Sequence, residues 1–335
     1  MKRTGVANEE VLRGLGAQAA GRNMTAEQRA VTTDDLDGTG ALKQEAVKAF
    51  ITAFEEAGEL GGAIMWKKVG AKAGNLPRLT FGSRQIRAKQ EKVAPESTVD
   101  PTPSTVAFSL KGTRLAYEIP EEVIEYNVEG DDYDLEVFEG MSNSFGIDVI
   151  DLGLNGDTAT DPSDPDYKFL KILDGWLKKM TTLGGNILAA GSLPAGASIG
   201  KHIFFAAKRE LPVKWKGRLK AYRWMIHPDT LDHYMETLSD GIGSQADQAL
   251  VDGRTEKIVG IQYLIEPKMP VDQILLADPS QMAMVYNRNM KFRTTNDGVE
   301  AISEDKRFSV LIGDYDPIWY WADSAVLVTG ITGVS

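Results

Sequence analysis

A periodic pattern of apolar residues runs through residues 132–152. Large apolar side chains recur there at intervals of three or four positions: Leu135, Phe138, Met141, Phe145, Val149 and Leu152. This spacing predicts one long helix, from about residue 132 to 152, that buries a single stripe. Acidic residues crowd its start, where carboxylates accept hydrogen bonds from free N–H groups and meet the positive end of the helix dipole; these are Asp131, Asp132 and Asp134. Gly153 and Gly156 stand where we expect the helix to end.

The opposite face of this helix is predicted to stay polar, because it carries Glu136, Glu139, Ser142 and Asn143. A helix of this kind packs one side on a core and leaves the other side for solvent or a partner. If the stripe is buried, each of its large side chains contributes roughly 1.5–3 kcal/mol. We therefore expect this helix to be the scaffold of the fold.

Shorter patterns predict the remaining elements. An amphipathic helix is expected at residues 41–60, and a mostly extended region at 61–118 with a turn at Gly74 and Asn75. Further helices are expected at 167–180, at 201–210 and from 228 to about 238, followed by a loop at 239–253. Strands are predicted at 64–68, 76–81, 221–227, 258–265, 273–277, 282–286, 308–312 and 319–329. This order indicates an α+β fold rather than repeated βαβ units.

A long hairpin is predicted between residues 84 and 117. Its tip, residues 94–103, is rich in proline and lacks residues that would form a core. A long hairpin with so few apolar side chains is unstable alone and needs another surface. Its outgoing strand is basic, with Arg84, Arg87, Lys89 and Lys92. Nucleic-acid binding is the alternative for such a run, but aromatic residues for base stacking do not interleave with the cations, so a protein surface is favoured.

Composition narrows the class of protein. With 335 residues, the chain is longer than one compact core usually holds, so two or more lobes are expected. Cysteine is absent, which excludes disulfides, thiol nucleophiles and cysteine-based metal sites and fits a reducing compartment. The net charge of -11 argues against a protein that coats nucleic acid. Neither a secretory signal nor a membrane helix of roughly 20 apolar residues is predicted.

The chemistry-bearing residues do not form a recognisable site. His227 and His233 are six residues apart with Pro228 between them, so they do not share a helix face as a zinc-binding pair would. No G-x-S-x-G or Walker motif occurs. Carboxylates are plentiful, but nothing in the sequence places two of them together for catalysis. Catalytic, cofactor-binding and metal-binding residues are therefore predicted to be absent.

Two further patterns have a chemical and a structural interpretation. Asp161, Asp164 and Asp166 resemble the start of a calcium loop, but prolines intervene and the required glycine and closing glutamate are missing. The aromatic run at residues 319–321 could form a sugar platform. Such a run near the C-terminus more often fills a core or a subunit contact, and we favour that interpretation.

Five segments together resemble one family. They are residues 119–124 (IPEEVI), the long helix ending at 154–157 (LNGD), 222–230 (YRWMIHPDT), 259–262 (VGIQ) and 274–278 (ILLAD). Their order and spacing resemble the major capsid proteins of tailed bacteriophages, which share the Hong Kong phage-type capsid fold. The resemblance covers roughly residue 85 to the C-terminus. The first forty residues match nothing specific.

The resemblance implies an α+β fold divided into named segments. Residues 1–60 would form an N-terminal arm with an amphipathic helix, and 61–118 would form strands and an extended hairpin loop. A peripheral domain with the long helix as its spine would occupy 119–220, and an axial domain 221–272. Residues 273–335 would return to the peripheral domain as strands.

The function that the resemblance implies is structural. Subunits would assemble as hexamers and pentamers into an icosahedral shell that encloses double-stranded viral DNA without binding it specifically, and no cofactor would be needed. About eighty residues precede the hairpin, too few for a fused scaffolding segment plus an arm, so a separate scaffolding protein is expected. A portal would complete the head, a cement protein would be optional, and the virion head would be assembled in the host cytoplasm.

Two alternatives remain open at this point. One is an encapsulin-like nanocompartment, which shares this fold, and the other is a soluble α+β enzyme with an unrecognised site. The long hairpin favours a shell, because a monomer has no use for it.

The hairpin and the helix start carry opposite charges. Opposite charge on two elements that each lack a full set of partners suggests that they meet. Because the hairpin leads away from the helix within one chain, we predict that the meeting is between neighbouring subunits. The residues of this predicted contact are Arg84, Arg87, Lys89 and Lys92 on the hairpin and Asp131, Asp132, Asp134, Glu136 and Glu139 on the helix.

Overall fold

The computed structural model describes residues 58–80, 102–126, 133–241, 257–287, 291–295 and 303–333. Several predicted segments lie outside these ranges. They are the N-terminal arm, most of the helix at 41–60, the outgoing strand and most of the tip of the hairpin, and nearly all of the loop at 239–253.

The described part of the chain mixes helices and strands, as expected for an α+β fold. The helices are α1 (Glu59–Ala63), α2 (Glu121–Tyr126), α3 (Tyr133–Asn155), α4 (Tyr167–Leu170), α5 (Trp176–Thr182), α6 (Lys201–Glu210), α7 (Val213–Lys216) and α8 (Pro228–Gly241). The strands are β1 (Met65–Val69), β2 (Ala73–Thr80), β3 (Thr102–Ser109), β4 (Lys111–Pro120), β5 (Asn186–Ala189), β6 (Arg223–Ile226), β7 (Lys257–Ile258), β8 (Ile261–Ile265), β9 (Ile274–Ala277), β10 (Met282–Asn287), β11 (Lys291–Thr295), β12 (Lys306–Trp319) and β13 (Val326–Thr329).

A first sheet is built around the long strand β12. Its order is β1-β10-β12-β11, and β4 also pairs with β12. The pairing of β12 with β4 is antiparallel and continuous, from Lys306 opposite Pro120 to Tyr315 opposite Lys111. The core beneath this sheet gathers apolar side chains from strands and helices that are far apart in sequence, among them Met284, Leu311 and Trp319.

A second sheet has the order β5-β13-β9-β6-β8-β7. All four residues of β9 are buried, because elements cover both faces of this strand, and its sequence is a continuous apolar run. Helices α6 and α8 contribute Ile203, Phe204, Leu231 and Tyr234 to the core of this sheet. Strands from several of the predicted segments enter both sheets, and the division into domains stays a prediction.

Helix α3 is the long helix that the apolar pattern predicts, and it runs about three residues further than expected. Phe145, Val149 and Leu152 of the predicted stripe are buried. Ser142, which we assigned to the polar face, is only 3% exposed, so that assignment is wrong. The reason is that Ser142 lies one turn before Phe145 on the helix, on the side that packs inward. None of the helices in the described ranges is long and apolar enough to cross a membrane.

Gly153 lies inside α3 instead of ending it. A Cβ atom at this position would lie 2.8 Å from Met284 Cε and 2.9 Å from Trp176 Cζ3, so the missing side chain permits close packing. Gly156 follows the last helical residue, as predicted. A Cβ there would lie 2.4 Å from the carbonyl oxygen of Leu173, so no residue larger than glycine fits at this position.

Three other predictions were wrong in detail. The helix expected at 167–180 is two helices, α4 and α5, with Gly175 capping the second. The strand expected at 319–329 is interrupted by the 3-10 turn Ala322–Ser324. The turn expected at Gly74 and Asn75 lies within β2, because both residues pair in register with β3. For Gly74 and Asn75, the pairing with β3 overrides the local turn signal.

Candidate functional site

The described part of the predicted hairpin is a two-stranded ribbon, which we call the hairpin root. It consists of β2 and β3, paired antiparallel from Ala73 opposite Ser109 to Thr80 opposite Thr102. One face of the ribbon rests on the first sheet, where Leu76 and Phe108 share a small apolar cluster with β10 and with Ile318 of β12. The base of the hairpin is therefore fixed to the body of the molecule.

Arg78 joins the hairpin root to the chain that follows β12. Its Nε donates a hydrogen bond to Ser104 Oγ at 2.8 Å, across the ribbon. Its Nη1 donates to the carbonyl oxygen of Tyr320, and its Cζ lies 4.2 Å from the centroid of the Trp321 ring. A cation over an aromatic face is worth about 0.5–1 kcal/mol at an exposed site and more when water is excluded. One side chain thus holds the ribbon at a defined angle to the body.

Asp316 makes a second connection at the same place. Its carboxylate is buried and accepts hydrogen bonds from Ser109 N at 2.8 Å and from Lys179 Nζ at 2.6 Å. Lys179 Nζ also donates to the carbonyl oxygen of Pro317 at 2.6 Å. The hairpin root, β12 and α5 therefore meet at one ion pair. Removing one partner of such a pair is costly, because the other is left as an uncompensated buried charge.

Two tryptophans lock α5 against β12. Trp176 Nε1 donates to the carbonyl oxygen of Ile318 at 3.0 Å, and Trp319 Nε1 donates to the carbonyl oxygen of Trp176 at 3.0 Å. Both rings are fully buried, and Gly153 lets α3 approach the Trp176 ring. The end of the long helix, α5 and the end of β12 form one rigid unit next to the hairpin root. Trp319 fills a core, as we predicted for the aromatic run.

The last turns of α3 are tied to the segment after β8. Lys268 Nζ lies 3.0 Å from Asp151 Oδ2, and its carbonyl oxygen accepts from Asn155 Nδ2 at 2.7 Å. Glu266 is buried beside this pair, and its Oε1 accepts from the Lys268 N–H at 3.2 Å. Burial raises the pKa of the Glu266 carboxyl, and the neighbouring carboxylates of Asp151 and Glu59 add to the increase.

The predicted inter-subunit residues lie at the limits of the described chain. Arg84, Arg87, Lys89 and Lys92 fall outside it, as do Asp131 and Asp132. Asp134, Glu136 and Glu139 belong to the first turns of α3, but their side chains are outside the description. The pairing of hairpin and helix start therefore stays a prediction.

The residues considered for chemistry have structural partners. His227 Nδ1 accepts from the Asp229 N–H at 3.1 Å, and His233 Nδ1 lies 3.3 Å from Glu236 Oε2. Asp161 Oδ1 accepts from the N–H and hydroxyl of Ser163, which closes a turn. In the described ranges, no group of three or more histidine, aspartate or glutamate residues is arranged to hold a metal ion.

Arg78 and Asp316 are the residues that the sequence did not single out. Arg78 lies two positions after Leu76, so both side chains face the same side of β2, which is the side toward the body. A lone cation on the buried face of a strand is a usable signal. Asp316 lies between Tyr315 and Pro317 on a strand that is mostly buried, and a buried carboxylate there requires a partner.

The sequence was compared with protein families and with known proteins. No family model matches the sequence. The putative prophage capsid protein YqbE of Bacillus subtilis (strain 168) is 24% identical over 235 residues, which are 66% of this chain and 72% of that protein.

Solved structures of phage and GTA particles share the fold. A chain of the satellite phage P4 procapsid including the size determination (Sid) protein matches with a TM-score of 0.65 at 12% identity, over 86% of this chain and 100% of that chain. The capsid of the native GTA particle matches with a TM-score of 0.57 at 11% identity, over 83% and 91%. Microbacterium phage Oxtober96 matches with a TM-score of 0.53 at 13% identity, over 81% and 90%.

The expected capsid fold is confirmed by these matches. The similar sequence, at 24% identity over 66% of this chain, is that of a putative prophage capsid protein. The chain therefore has the fold of phage capsid proteins, and its sequence is similar to that of a putative prophage capsid protein.

Proposed function

We propose that this chain is the structural subunit of a phage head, and that it assembles as hexamers and pentamers into an icosahedral shell around double-stranded DNA. The observation that carries the proposal is the likeness to a procapsid chain over 86% of this chain and the whole of the other. Its mechanism is assembly, not catalysis. Each subunit is expected to bury large obligate interfaces, on the order of 2,000 Å² or more in total.

The geometry suggests how a subunit would serve such a shell. The hairpin root has little core of its own and is held by Arg78, Asp316 and two packed apolar residues. The rigid unit of α3, α5 and β12 provides the body that this ribbon is anchored to. A fixed base lets a long hairpin point in one direction, which a repeated contact between copies requires.

The hairpin of one subunit is proposed to lie over the start of the long helix in the next subunit. Arg84, Arg87, Lys89 and Lys92 would meet the acidic residues at that helix start, namely Asp131, Asp132, Asp134, Glu136 and Glu139. Each exposed pair would add only about 0–1 kcal/mol, but the contact repeats at every subunit. Salt screens such pairs over roughly 8–10 Å, so shell assembly should depend on ionic strength.

Charge reversal tests this contact. Reversing Arg87, Lys89 and Lys92 to glutamate should block shell closure, and reversing the helix acids as well should partly restore it. The measurement is the fraction of protein in closed shells by electron microscopy. An assembled structure with the three cations more than about 10 Å from every neighbour's helix start would refute the pairing.

The partners of the shell follow from the same proposal. A separate scaffolding protein and a portal would act during assembly in the host cytoplasm, and a cement protein would be an optional addition. The inner wall should be neutral to acidic, because packaged duplex carries one negative charge about every 1.7 Å and a basic wall would hold it. The net charge of -11 supports this expectation.

Electron microscopy of the purified chain tests the proposed function. We expect closed shells or capsomers, with hexamers and pentamers as building blocks. Deletion of residues 1–40 should leave a folded subunit that does not close shells, if these residues act as an arm between copies. A stable monomer at all concentrations would overturn the shell assignment, and normal shells from the deletion variant would overturn the role of the arm.

A further inference from the structure

An open groove lies between the hairpin root and the chain after β12. It has a volume of about 490 Å³ and is lined by apolar and charged side chains, including Arg78, Val106, Lys179, Leu183, Trp321 and Asp323. Leu183 is 55% exposed even though it borders this concave surface. Large apolar side chains in an open groove favour a partner over bulk water.

Helix α7 extends the groove with one more apolar residue and a cation. Lys214 pairs with Asp323, and its Nζ lies 5.6 Å from the centroid of the Trp321 ring. The preceding residue, Val213, is 83% exposed. No other large apolar side chain in the described part of the chain is as exposed as this one. The groove thus presents Leu183 and the Trp321 ring, and Val213 stands exposed on the adjoining α7, next to Lys214.

The surroundings of α7 are strongly basic. Residues 208–223 contain one acidic residue, Glu210, in a chain whose net charge is -11. The same stretch contains seven basic residues: Lys208, Arg209, Lys214, Lys216, Arg218, Lys220 and Arg223.

The positive charge of this basic stretch is largely uncompensated. Among its cations, Lys214 and Arg218 approach carboxylates within 4 Å in the ranges that the structure describes. Lys208, Lys216 and Arg223 donate to backbone carbonyl oxygens instead. Arg78 on the other side of the groove likewise donates to a hydroxyl and a carbonyl. The basic stretch beside the groove therefore attracts anions, whereas the groove itself holds Asp174 and Asp323 together with its cations.

We propose that the groove and the adjoining basic stretch form a docking site for an acidic, amphipathic segment of a separate protein. The apolar side chains of that segment would cover Leu183, Val213 and the Trp321 ring, and its carboxylates would meet the basic stretch. The site is a property of the single subunit, so it does not depend on the shell proposed above.

Two other occupants fit the observations less well. Duplex DNA would match the charge, but it offers nothing to Leu183 and Val213. A second copy of this chain offers an exposed acidic loop at residues 157–166, but that loop contains no large apolar side chain. The acidic start of α3 does contain apolar residues, but the proposed function assigns it to the hairpin of a neighbouring subunit. An acidic amphipathic protein segment satisfies both the charge and the apolar surface.

A synthetic peptide of leucine and glutamate, about 18 residues long and patterned as an amphipathic helix, is the probe. We expect it to bind the full-length, unassembled chain, measured by calorimetry and by a change in tryptophan fluorescence. Leu183→Asp and Lys214→Glu should each weaken binding about tenfold or more. Circular dichroism confirms that each variant is folded.

Val123→Asp is the matched control. Val123 is also an exposed apolar residue, but it lies in α2, next to the Lys306 end of β12. The groove lies at the Trp319 end of the same strand, and the rise of a strand puts these two ends about 40 Å apart. This variant should bind the peptide as the parent chain does. An equal loss of binding in Val123→Asp would overturn the assignment of the site.

Four results would each overturn the proposal. The first is no binding of the leucine–glutamate peptide to the full chain, and the second is equal binding of a leucine–lysine peptide. The third is that duplex DNA binds the chain more tightly than the peptide does, and that this DNA binding is lost in Lys214→Glu but not in Leu183→Asp. The fourth is binding that occurs only after residues 1–57 are deleted, since the chain itself would then occupy the groove. Failure to form shells in electron microscopy has no bearing on these results.

Discussion

The hairpin root and the second sheet are held in different ways. The second sheet is six strands wide, and it buries β9 completely between covering elements. Its core contains Trp224, whose ring packs edge-on against Phe204 at a centroid distance of 5.0 Å. The hairpin root is two strands wide and buries a single face on the first sheet through Leu76 and Phe108.

The difference shows what each region can tolerate. The second sheet is stabilised by packed volume, so it resists loss of any one polar contact but not loss of a large side chain. The orientation of the hairpin root depends on two polar connections, made by Arg78 and Asp316. A small substitution there should change the direction of the hairpin while most of the fold persists. At Arg78 this change in direction should come at little cost in stability, whereas loss of the buried Asp316 charge should also destabilise the fold.

Trp224→Ala should have the largest effect on stability. The ring is fully buried, and its Nε1 donates to the carbonyl oxygen of Ile258 at 2.9 Å, so the substitution leaves both a cavity and an unsatisfied acceptor. We expect a loss of about 3–5 kcal/mol in the free energy of unfolding, measured by denaturant titration.

Trp321→Ala provides the matched comparison in the hairpin region. This ring is partly exposed and contacts Arg78, so its removal should cost about 1 kcal/mol. If both tryptophans cost the same, the contrast between the two regions is wrong.

Asp316→Asn should come next in size. It removes the charge partner of Lys179, whose side chain is 20% exposed, while Asp316 itself is 7% exposed. Breaking a buried pair typically costs about 3–5 kcal/mol, and the partial exposure of the lysine places this case near 3 kcal/mol. Thermal and denaturant unfolding would measure it.

Lys178→Ala is the control for the ion pair. It breaks the pair with Asp157, in which both side chains are about a third exposed. Such pairs are worth about 0–1 kcal/mol because water screens the charges. A loss at Lys178 as large as the loss at Asp316 would show that burial does not decide the outcome.

Arg78→Ala should affect orientation more than stability. The variant loses the stack on Trp321 and the hydrogen bonds to Ser104 and Tyr320, at a cost of about 1–2 kcal/mol. Cleavage within residues 81–101 by a protease should become faster, because the base of the hairpin is less constrained. Arg78→Lys should behave similarly, since lysine cannot reproduce the planar, forked contact. Unchanged cleavage in both variants would argue against Arg78 as the anchor.

Glu266→Gln should give the smallest effect, and one that depends on pH. Burial raises the pKa of this carboxyl, so the folded chain keeps its proton to a higher pH than the unfolded chain. The parent protein therefore loses stability as the pH rises from the ordinary glutamate value through the raised one. The variant has no such loss, and its melting temperature should exceed that of the parent near neutral pH.

Acidic pH supplies the control for Glu266. Below the ordinary pKa of glutamate, about 4.3, the side chain is neutral in both states, and the two proteins should melt alike. A difference that persists at low pH would point to hydrogen bonding instead of ionisation. The amide of glutamine can still accept from the Lys268 N–H, which keeps this comparison clean.

Periodicity predicted the elements whose signal is local. The spacing of Phe145, Val149 and Leu152 locates α3, and the apolar positions of α6 give its bounds at residues 201–210. The burial of Ser142 and the role of Gly153 could not be predicted, because they depend on Trp176 and Met284 arriving from elsewhere in the chain. The sequence does not distinguish a glycine that ends a helix from a glycine that allows a neighbouring side chain to pack closely.

The candidate site was harder to predict than the fold. Opposite charge was the only basis for predicting a contact between the outer hairpin and the helix start, and charge carries no information about position in space. The contacts of Arg78 with Tyr320 and of Asp316 with Ser109 join residues that are more than 200 positions apart, so no local window contains both partners. At these two positions the sequence shows a charged residue close to apolar ones. This identifies the residue but not its partner.

The pairing of β12 with β4 has a mechanical consequence. Ten residue pairs connect these two antiparallel strands in unbroken register. A tension applied along the strands loads all ten pairs at the same time, in shear, whereas a force across them would peel the pairs apart one by one. A subunit pulled between the hairpin root, which leads into β4 at Lys111, and the start of β12 at Lys306 is loaded in this way, because these two points lie at opposite ends of the strand pair. The strand pair is thus oriented to resist stretching along its own length.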